Sequence, residues 1–171
     1  MKKIILFVSC VLCFGFANGQ APVFEWAKRM GGPSDDASFS IAVDIYGNVY
    51  TTGSFSGTVD FDPGAGIFNL TSYDVTDIYI LKLDVVGNFV WAKRMGGASV
   101  DDGISIGLDA SGNVYTTGWF NGIVDFDPGV GIFNVSSLGS EDVFISKLDP
   151  AGNFLWAQRM GGSGDDYVYL I

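Results

Sequence analysis

The chain repeats a 65-residue unit, and this repeat restricts the possible folds more than any other feature of the sequence. Residues 26–90 align with residues 91–155 without a gap, and 40 of the 65 positions are identical. The heptapeptide WAKRMGG begins at Trp26 and again at Trp91, and WAQRMGG begins a third unit at Trp156. Internal repetition of this kind is typical of solenoids, propellers and arrays.

The pattern within one unit is β throughout. Alternating or continuous apolar segments predict strands, which are listed here by number: 38–44, 49–55, 67–72, 77–84 and 89–95. Gly47-Asn48 and Gly87-Asn88 predict tight turns between strands, because these two residue types tolerate positive φ. The segment VDFDPGAG from Val59 predicts a turn-rich excursion.

Four or five short strands per unit, with apolar or small side chains on both faces, must be covered on both faces. A β-propeller satisfies this requirement, because each blade packs between two neighbours. A β-solenoid also satisfies it, but a solenoid coil would be shorter than this unit. We therefore predict an all-β fold of propeller-type blades, with about two full repeats and a partial third.

The first 19 residues have the pattern of a secretory signal peptide. Lys2-Lys3 precede the apolar run Ile4 to Phe16, and Ala17-Asn18-Gly19 forms a small-residue cleavage site. An alternative is a lipoprotein leader with Cys10 as the acylated residue. The predicted organisation is a signal peptide (1–19), a lead-in (20–25), repeat 1 (26–90), repeat 2 (91–155) and a truncated repeat 3 (156–171).

Composition excludes several kinds of site. Both cysteines lie in the leader and the sequence has no histidine, so thiolate sites, histidine-based catalysis and Ser-His-Asp triads are excluded from the mature chain. Without Lys2 and Lys3, seven basic residues face 19 acidic ones, a net charge of 7 − 19 = −12. We therefore expect no nucleic-acid partner and no membrane insertion after signal cleavage.

Three motifs indicate a known family. The segments SIAVDIYGNVYTTGSFSGTVDFDPG, DIYILKLDVVGN and WAKRMGG resemble the SBBP β-propeller repeats of secreted and cell-surface bacterial proteins. The resemblance covers essentially everything after residue 22, and the FDPG form is similar to versions common in Bacteroidetes. It implies a propeller fold, a Gram-negative source and an extracellular location, but no shared catalytic residues.

Two carboxylate pairs are candidate calcium ligands. Asp60 and Asp62, like Asp125 and Asp127, belong to a D-F-D-P-G motif in which carboxylates at i and i+2 point the same way. A solvated Asp-Pro-Gly turn explains the motif better, because the further acidic ligands of a calcium loop are missing. We therefore expect no cofactor, with calcium as the alternative.

The heptapeptide WAKRMGG predicts the last strand of one unit followed by a Gly-Gly turn into the next, with its tryptophan in the core between blades and its basic residues beside local aspartates. Asp36, Asp101 and Asp166 follow that turn at equivalent positions. They could form a ring of carboxylates around a channel. The pattern favours aspartates that accept backbone N–H bonds in a turn.

Positions that differ between the units are the better candidates for ligand recognition, because a structural joint must recur in every unit. Ser54 is replaced by Trp119, Ser56 by Asn121, and the segment beginning Tyr73-Asp74 by an unrelated one. We therefore predict Trp119, Asn121, Tyr73 and Asp74 as ligand-binding residues, and an exposed Trp119 would be the first residue to test.

The sequence as a whole predicts a secreted, noncatalytic propeller segment that serves as a surface interaction or spacer module. Its expected partners are further repeats or a partner chain that completes the propeller, and a protein or carbohydrate ligand. The alternative is an N-terminal piece of an extracellular propeller enzyme acting on polysaccharide, with its catalytic part outside this chain.

Overall fold

The computed structural model describes residues 24–169, so the predicted signal peptide lies outside the described residues. Ten strands and no helix occur in this part of the chain, and no helix here is long and apolar enough to cross a membrane. The strands are β1 (Asp36–Val43), β2 (Val49–Phe55), β3 (Thr58–Asp60), β4 (Asn69–Thr71), β5 (Asp77–Leu83), β6 (Phe89–Gly97), β7 (Asp101–Leu108), β8 (Val114–Asp125), β9 (Asn134–Leu148) and β10 (Phe154–Met160).

The strands form two antiparallel blades of four strands each. Blade 1 has the order β1-β2-β5-β6, and blade 2 has the order β7-β8-β9-β10. In each blade the first strand carries a β-bulge opposite the second, between Ser38 and Ser40 or between Gly103 and Ser105. The all-β, incomplete propeller predicted from the sequence is confirmed.

A hairpin arm projects from the middle of each blade. In blade 1 it is the separate pair β3-β4, whereas in blade 2 it is the continuous extension of β8 and β9, where Val124 pairs with Val135. The arm follows the second strand and includes the predicted D-F-D-P-G excursion. The arm of blade 2 offers a backbone edge with which the outer strand of blade 1, β6, pairs.

Equivalent D-x-x-G-N turns connect the first two strands and the last two strands of each blade. In the first turn, one carboxylate oxygen of Asp44 accepts the N–H groups of Tyr46 and Asn48, and the other accepts the Asn48 amide at 2.7 Å. The same bonds recur at Asp84, Asp109 and Asp149. The glycine of each turn has φ between 78° and 82°, a region that favours glycine, so the predicted turns are confirmed.

The heptapeptide WAKRMGG does not form the predicted strand followed by a Gly-Gly turn in its second copy. In its second copy the whole heptapeptide lies in β6, and Gly96 and Gly97 pair with Asp125 and Val124 of the next blade's arm. The prediction of a turn at Gly96-Gly97 was therefore wrong. The two glycines extend the outer strand of one blade onto the next, and at Gly97 the carbonyl of Ile123 lies so close that it leaves no room for a side chain.

The main core lies between the two blades. Ile78, Ile80 and Met95 of blade 1 are buried against Phe120 and Phe144 of blade 2. A second cluster around Phe55, Phe61 and Leu81 covers the other face of blade 1. Because both faces of a blade are apolar, the faces without a neighbour stay exposed: Ile41 is 65% exposed, and its equivalent Ile106 at the blade interface is 6% exposed.

Candidate functional site

An ion pair between a fully buried aspartate and a partly exposed arginine anchors the outer strand of each blade. Asp77 begins β5 with no side-chain exposure, and its Oδ2 lies 2.6 Å from Nη1 of Arg94 on β6. The same oxygen accepts the Tyr73 amide at 3.1 Å, while Oδ1 is buried without a hydrogen-bond partner. Burial raises the pKa of Asp77, and the hydrogen bond and charge of Arg94 oppose that rise.

Blade 2 contains the equivalent pair. Arg159 Nη1 lies 2.6 Å from Oδ2 of Asp142, which also accepts the Leu138 amide at 2.9 Å. A glycine follows each Arg-Met because a Cβ at Gly96 or Gly161 would collide with the buried carboxylate. Because the pair recurs in every blade described, it fits an architectural role better than a catalytic one.

Asp101 lies at the seam between the blades, near the carboxylate of Asp77. Its two oxygens accept the Gly97 amide at 2.8 Å and the Asn121 amide at 3.2 Å, and its own N–H donates to Thr76 O at 3.1 Å. Burial raises the pKa of Asp101 to about 7, and the nearby negative charge of Asp77 contributes to the rise. The seam therefore contains a carboxyl group that titrates near neutral pH.

Asp36, Asp101 and Asp166 have the same local role. The Oδ2 atom of each accepts the N–H of the residue four positions earlier, which is Gly32, Gly97 or Gly162, at 2.7 to 2.8 Å. This agrees with the turn interpretation of these aspartates. No group of three or more acidic, histidine or cysteine side chains within residues 24–169 is placed to hold a metal ion.

The D-F-D-P-G pairs are held in tight turns of backbone hydrogen bonds. Asp60 Oδ1 accepts the Asp62 and Phe68 amides at 3.0 and 2.8 Å, and Asp62 Oδ1 accepts the Gly64 amide at 2.7 Å. Asp125 and Asp127 make the equivalent bonds. Arg29 lines one cleft with the first pair, and Arg94 lines another with the second. These contacts favour the turn interpretation, and calcium binding stays an untested alternative.

The four predicted ligand-binding residues lie in different surroundings. Tyr73 and Asp74 form an exposed loop on blade 1, with Tyr73 71% exposed. Asn121 is tied to the seam, because its N–H donates to Asp101 and its side-chain amide lies 3.4 Å from Ser140 Oγ. Trp119 is only partly exposed, since Tyr167 stacks edge-on against its ring with 5.8 Å between the ring centroids.

A cleft between the blades contains none of these four residues. It has a volume of about 400 Å³ and lies between the turns that begin at Asp44 and Asp109, with Tyr50 and Lys82 in its lining. The Lys82 ammonium lies 4.9 Å from the centroid of the Tyr50 ring. A cleft of this size could admit a small ligand.

The sequence predicts the tryptophans of the heptapeptide in the core between blades and its basic residues beside local aspartates, but it did not identify Asp77 as the partner of Arg94. A lone aspartate before the buried strand residues IYIL was the available signal for that partner. Trp26 Nε1 donates to Val85 O at 3.1 Å and Trp91 Nε1 to Pro150 O at 3.3 Å, so each indole binds the outer turn of the following blade. These contacts place Trp26 and Trp91 at blade seams, as predicted.

Comparison with known proteins confirms the resemblance to SBBP repeats. The family model described as "SBBP: Beta-propeller repeat" matches residues 25–54 and 90–123. The starts of the two matches are one repeat length apart, and the matches fall on equivalent parts of the two units. The chain thus matches the SBBP β-propeller repeat at two sites, which supports a repeat module.

Two curated proteins are similar to the chain. One is an uncharacterized WD repeat-containing protein of Acanthamoeba polyphaga mimivirus, 25% identical over 167 residues, which covers 81% of this chain and 12% of that protein. The other is the regulatory protein FlaEY of Caulobacter vibrioides, 26% identical over 91 residues, which covers 53% of this chain and 10% of that protein. The chain spans about a tenth of the length of the curated relatives it matches.

Proposed function

We propose that the chain is a secreted, noncatalytic β-propeller module that acts on the extracellular side of a Gram-negative cell as an interaction or spacer segment. One observation carries the noncatalytic part. The polar side chains that recur in both units, namely the turn aspartates and the Asp–Arg pairs, are engaged in internal hydrogen bonds. Side chains used in this way hold the blades together and are not free to act on a substrate.

Secretion is supported by the leader pattern of residues 1–19. The test is to express the full chain with a C-terminal tag in a Gram-negative host and to fractionate the cells. We expect a product that begins at Gln20 outside the cytoplasm. A variant without residues 2–19 is the control and should stay in the cytoplasm. An uncleaved cytoplasmic wild-type chain would contradict the proposal.

Ligand recognition is proposed for the loop that contains Tyr73 and Asp74. This loop differs between the units and is exposed, whereas the strand that follows it is buried. We expect binding to a surface protein or polysaccharide that Tyr73→Ala weakens and Tyr169→Ala does not, since Tyr169 is exposed elsewhere at 79%. Equal binding by both variants would remove the loop from the proposal.

Catalysis is tested by incubating the full chain with the polysaccharides used in the binding measurements and counting new reducing ends. We expect the chain to produce no new reducing ends. Nothing in the described residues favours the alternative of a polysaccharide enzyme. New reducing ends that appear only with the chain present would overturn the proposal that the module is noncatalytic. They would not contradict the proposal that it is secreted.

A further inference from the structure

Each blade meets the next at a seam, and the seams can be compared side chain by side chain because they lie one repeat length apart. Seam 1 joins blade 1 to the start of blade 2, and seam 2 joins blade 2 to residues 161–169. Both seams share one backbone bond: Asp101 N donates to Thr76 O at 3.1 Å, and Asp166 N donates to Glu141 O at 2.8 Å. The third unit therefore begins to pack on blade 2 as blade 2 packs on blade 1.

Seam 1 is polar at the position beside this bond. Burial raises the pKa of Asp102, and the neighbouring Ser54 hydroxyl opposes that rise. Ser54 is buried at 7% exposure. A small hydroxyl side chain thus fits between the blades beside the aspartate.

Seam 2 is aromatic at the same position. Trp119 is the equivalent of Ser54 and Tyr167 is the equivalent of Asp102, and their rings meet edge-on at 90° with centroids 5.8 Å apart. Burial raises the pKa of the Tyr167 hydroxyl, and the neighbouring Glu141 carboxylate, which stands where seam 1 has Thr76, raises it further. Both members of the pair have changed together, and a third neighbour has changed to suit the new hydroxyl.

We infer that these three positions form a seam-matching set that determines which blade packs on which. The Trp119 face of blade 2 accepts an inner strand with an aromatic residue after its Asp, as in Asp166-Tyr167. It disfavours a strand of the Asp101-Asp102 type. The inference does not depend on where the protein resides.

Mismatched seams carry a clear penalty. Tyr167 is 50% exposed, so an aspartate in its place would stay hydrated, but it would lose the edge-on contact with the Trp119 ring and would be repelled by the nearby Glu141 carboxylate. A tyrosine in place of Asp102 would need space that the buried Ser54 contact does not leave. Rejecting the wrong partner matters here, because neighbouring repeats of high identity can misassemble or swap.

A second copy of this chain is a poorer partner for the Trp119 face than its own Tyr167. The residue equivalent to Tyr167 in blade 1 is Ala37, which would leave the indole edge uncovered. We therefore expect residues 161–169 to occupy this face within the same molecule.

The experiment measures hydrogen exchange of the Asp166 amide in the full chain, because this N–H is bonded to Glu141 O only while seam 2 is closed. The change Tyr167→Asp should speed its exchange by roughly three- to tenfold, which is the range expected for loss of an aromatic pair. The Asp101 amide in seam 1 is the internal control and should not change. Tyr169→Asp is the matched control, since Tyr169 is exposed and lies close to Tyr167 in the chain.

A transplant gives the decisive comparison. The triple variant Trp119→Ser, Glu141→Thr and Tyr167→Asp reproduces the side chains of seam 1 and should recover most of the protection that Tyr167→Asp alone loses. A triple variant that exchanges as fast as the single one would overturn the inference. The inference would also be overturned if the Asp166 amide of the wild-type chain exchanged slowly at high concentration but fast after hundredfold dilution. The partner of Trp119 would then come from a second molecule.

Discussion

Replacing Gly97 with alanine tests how the outer strand of one blade is fastened to the next. A Cβ at Gly97 would collide with the carbonyl oxygen of Ile123, a backbone atom that cannot rotate away. The end of β6 would have to leave the arm of blade 2 and lose its pairing at Gly96–Asp125 and Gly97–Val124. Gly162 is the equivalent residue in the third unit and has open space around it, with nothing within 4 Å of an added Cβ.

The expected magnitude follows from the lost backbone bonds. Two hydrogen bonds at about 0.5–1.5 kcal/mol each cost roughly 1–3 kcal/mol. The lower chain entropy of alanine in the unfolded state offsets about 0.4–1 kcal/mol. We therefore expect Gly97→Ala to lower the free energy of unfolding by about 1–2 kcal/mol, or the Tm by about 2–8 °C. Gly162→Ala should leave both unchanged or slightly raised.

The assay is urea unfolding of the full chain, followed by tryptophan fluorescence, with both variants measured at the same protein concentration. The difference between the two midpoints isolates the collision, because each variant carries the same Gly-to-Ala change in the unfolded chain. The predicted collision is refuted if the free energies of unfolding of Gly97→Ala and Gly162→Ala differ by less than about 0.5 kcal/mol. That difference is the scatter of an ordinary surface substitution.

Three further predictions concern the seam and the turns. The folded-state pKa of Asp101 is raised to about 7 from 3.8, so the native state holds a proton between these values that the unfolded chain has released. The free energy of unfolding should therefore fall as pH rises from about 4 to 7, by at most about 1.4 kcal/mol per pH unit, and Asp101→Asn should flatten that slope in urea titrations at several pH values. Arg94→Leu leaves the buried Asp77 charge without its cation, so we expect about 3 kcal/mol of destabilisation at pH 7 and less at pH 5, where Asp77 can take up a proton; equal losses at both pH values would contradict this. The turn interpretation of the D-F-D-P-G motif predicts no heat and no Tm shift on adding millimolar calcium, and a shift that Asp125→Asn with Asp127→Asn removes would show a calcium site instead.

The strands were predictable because their signals are local. Alternating apolar residues and Gly-Asn turns depend only on neighbours in sequence, and the second strand was predicted with its observed bounds, Val49–Phe55. The propeller class followed from the repeat and from strands that are apolar on both faces. In the hairpin arm, the predicted strand 67–72 contains β4, Asn69–Thr71, whereas β3, Thr58–Asp60, was not predicted, because a three-residue strand carries too little pattern.

The candidate site was less predictable. Tyr73 and Asp74 could be selected by comparing the two units, and their loop is exposed. The partner of Trp119 could not, because Tyr167 lies in the third unit, far along the chain, and its packing depends on how blade 2 and that unit meet. The same reason explains why the Gly-Gly pair was predicted as a turn, since the arm that pairs with it belongs to the following blade.

The sequence by itself determined the unit, its strands, its turns and the absence of histidine from the chain and of cysteine after Cys13, because each of these depends on residue type and short-range spacing. The tertiary structure alone decided which carboxylates are buried, which glycines touch a neighbouring backbone and which side chains face one another across a seam. Those properties arise from contacts between blades. An aspartate such as Asp101 resembles its equivalent Asp36 in sequence, yet only Asp101 is enclosed by a neighbouring blade.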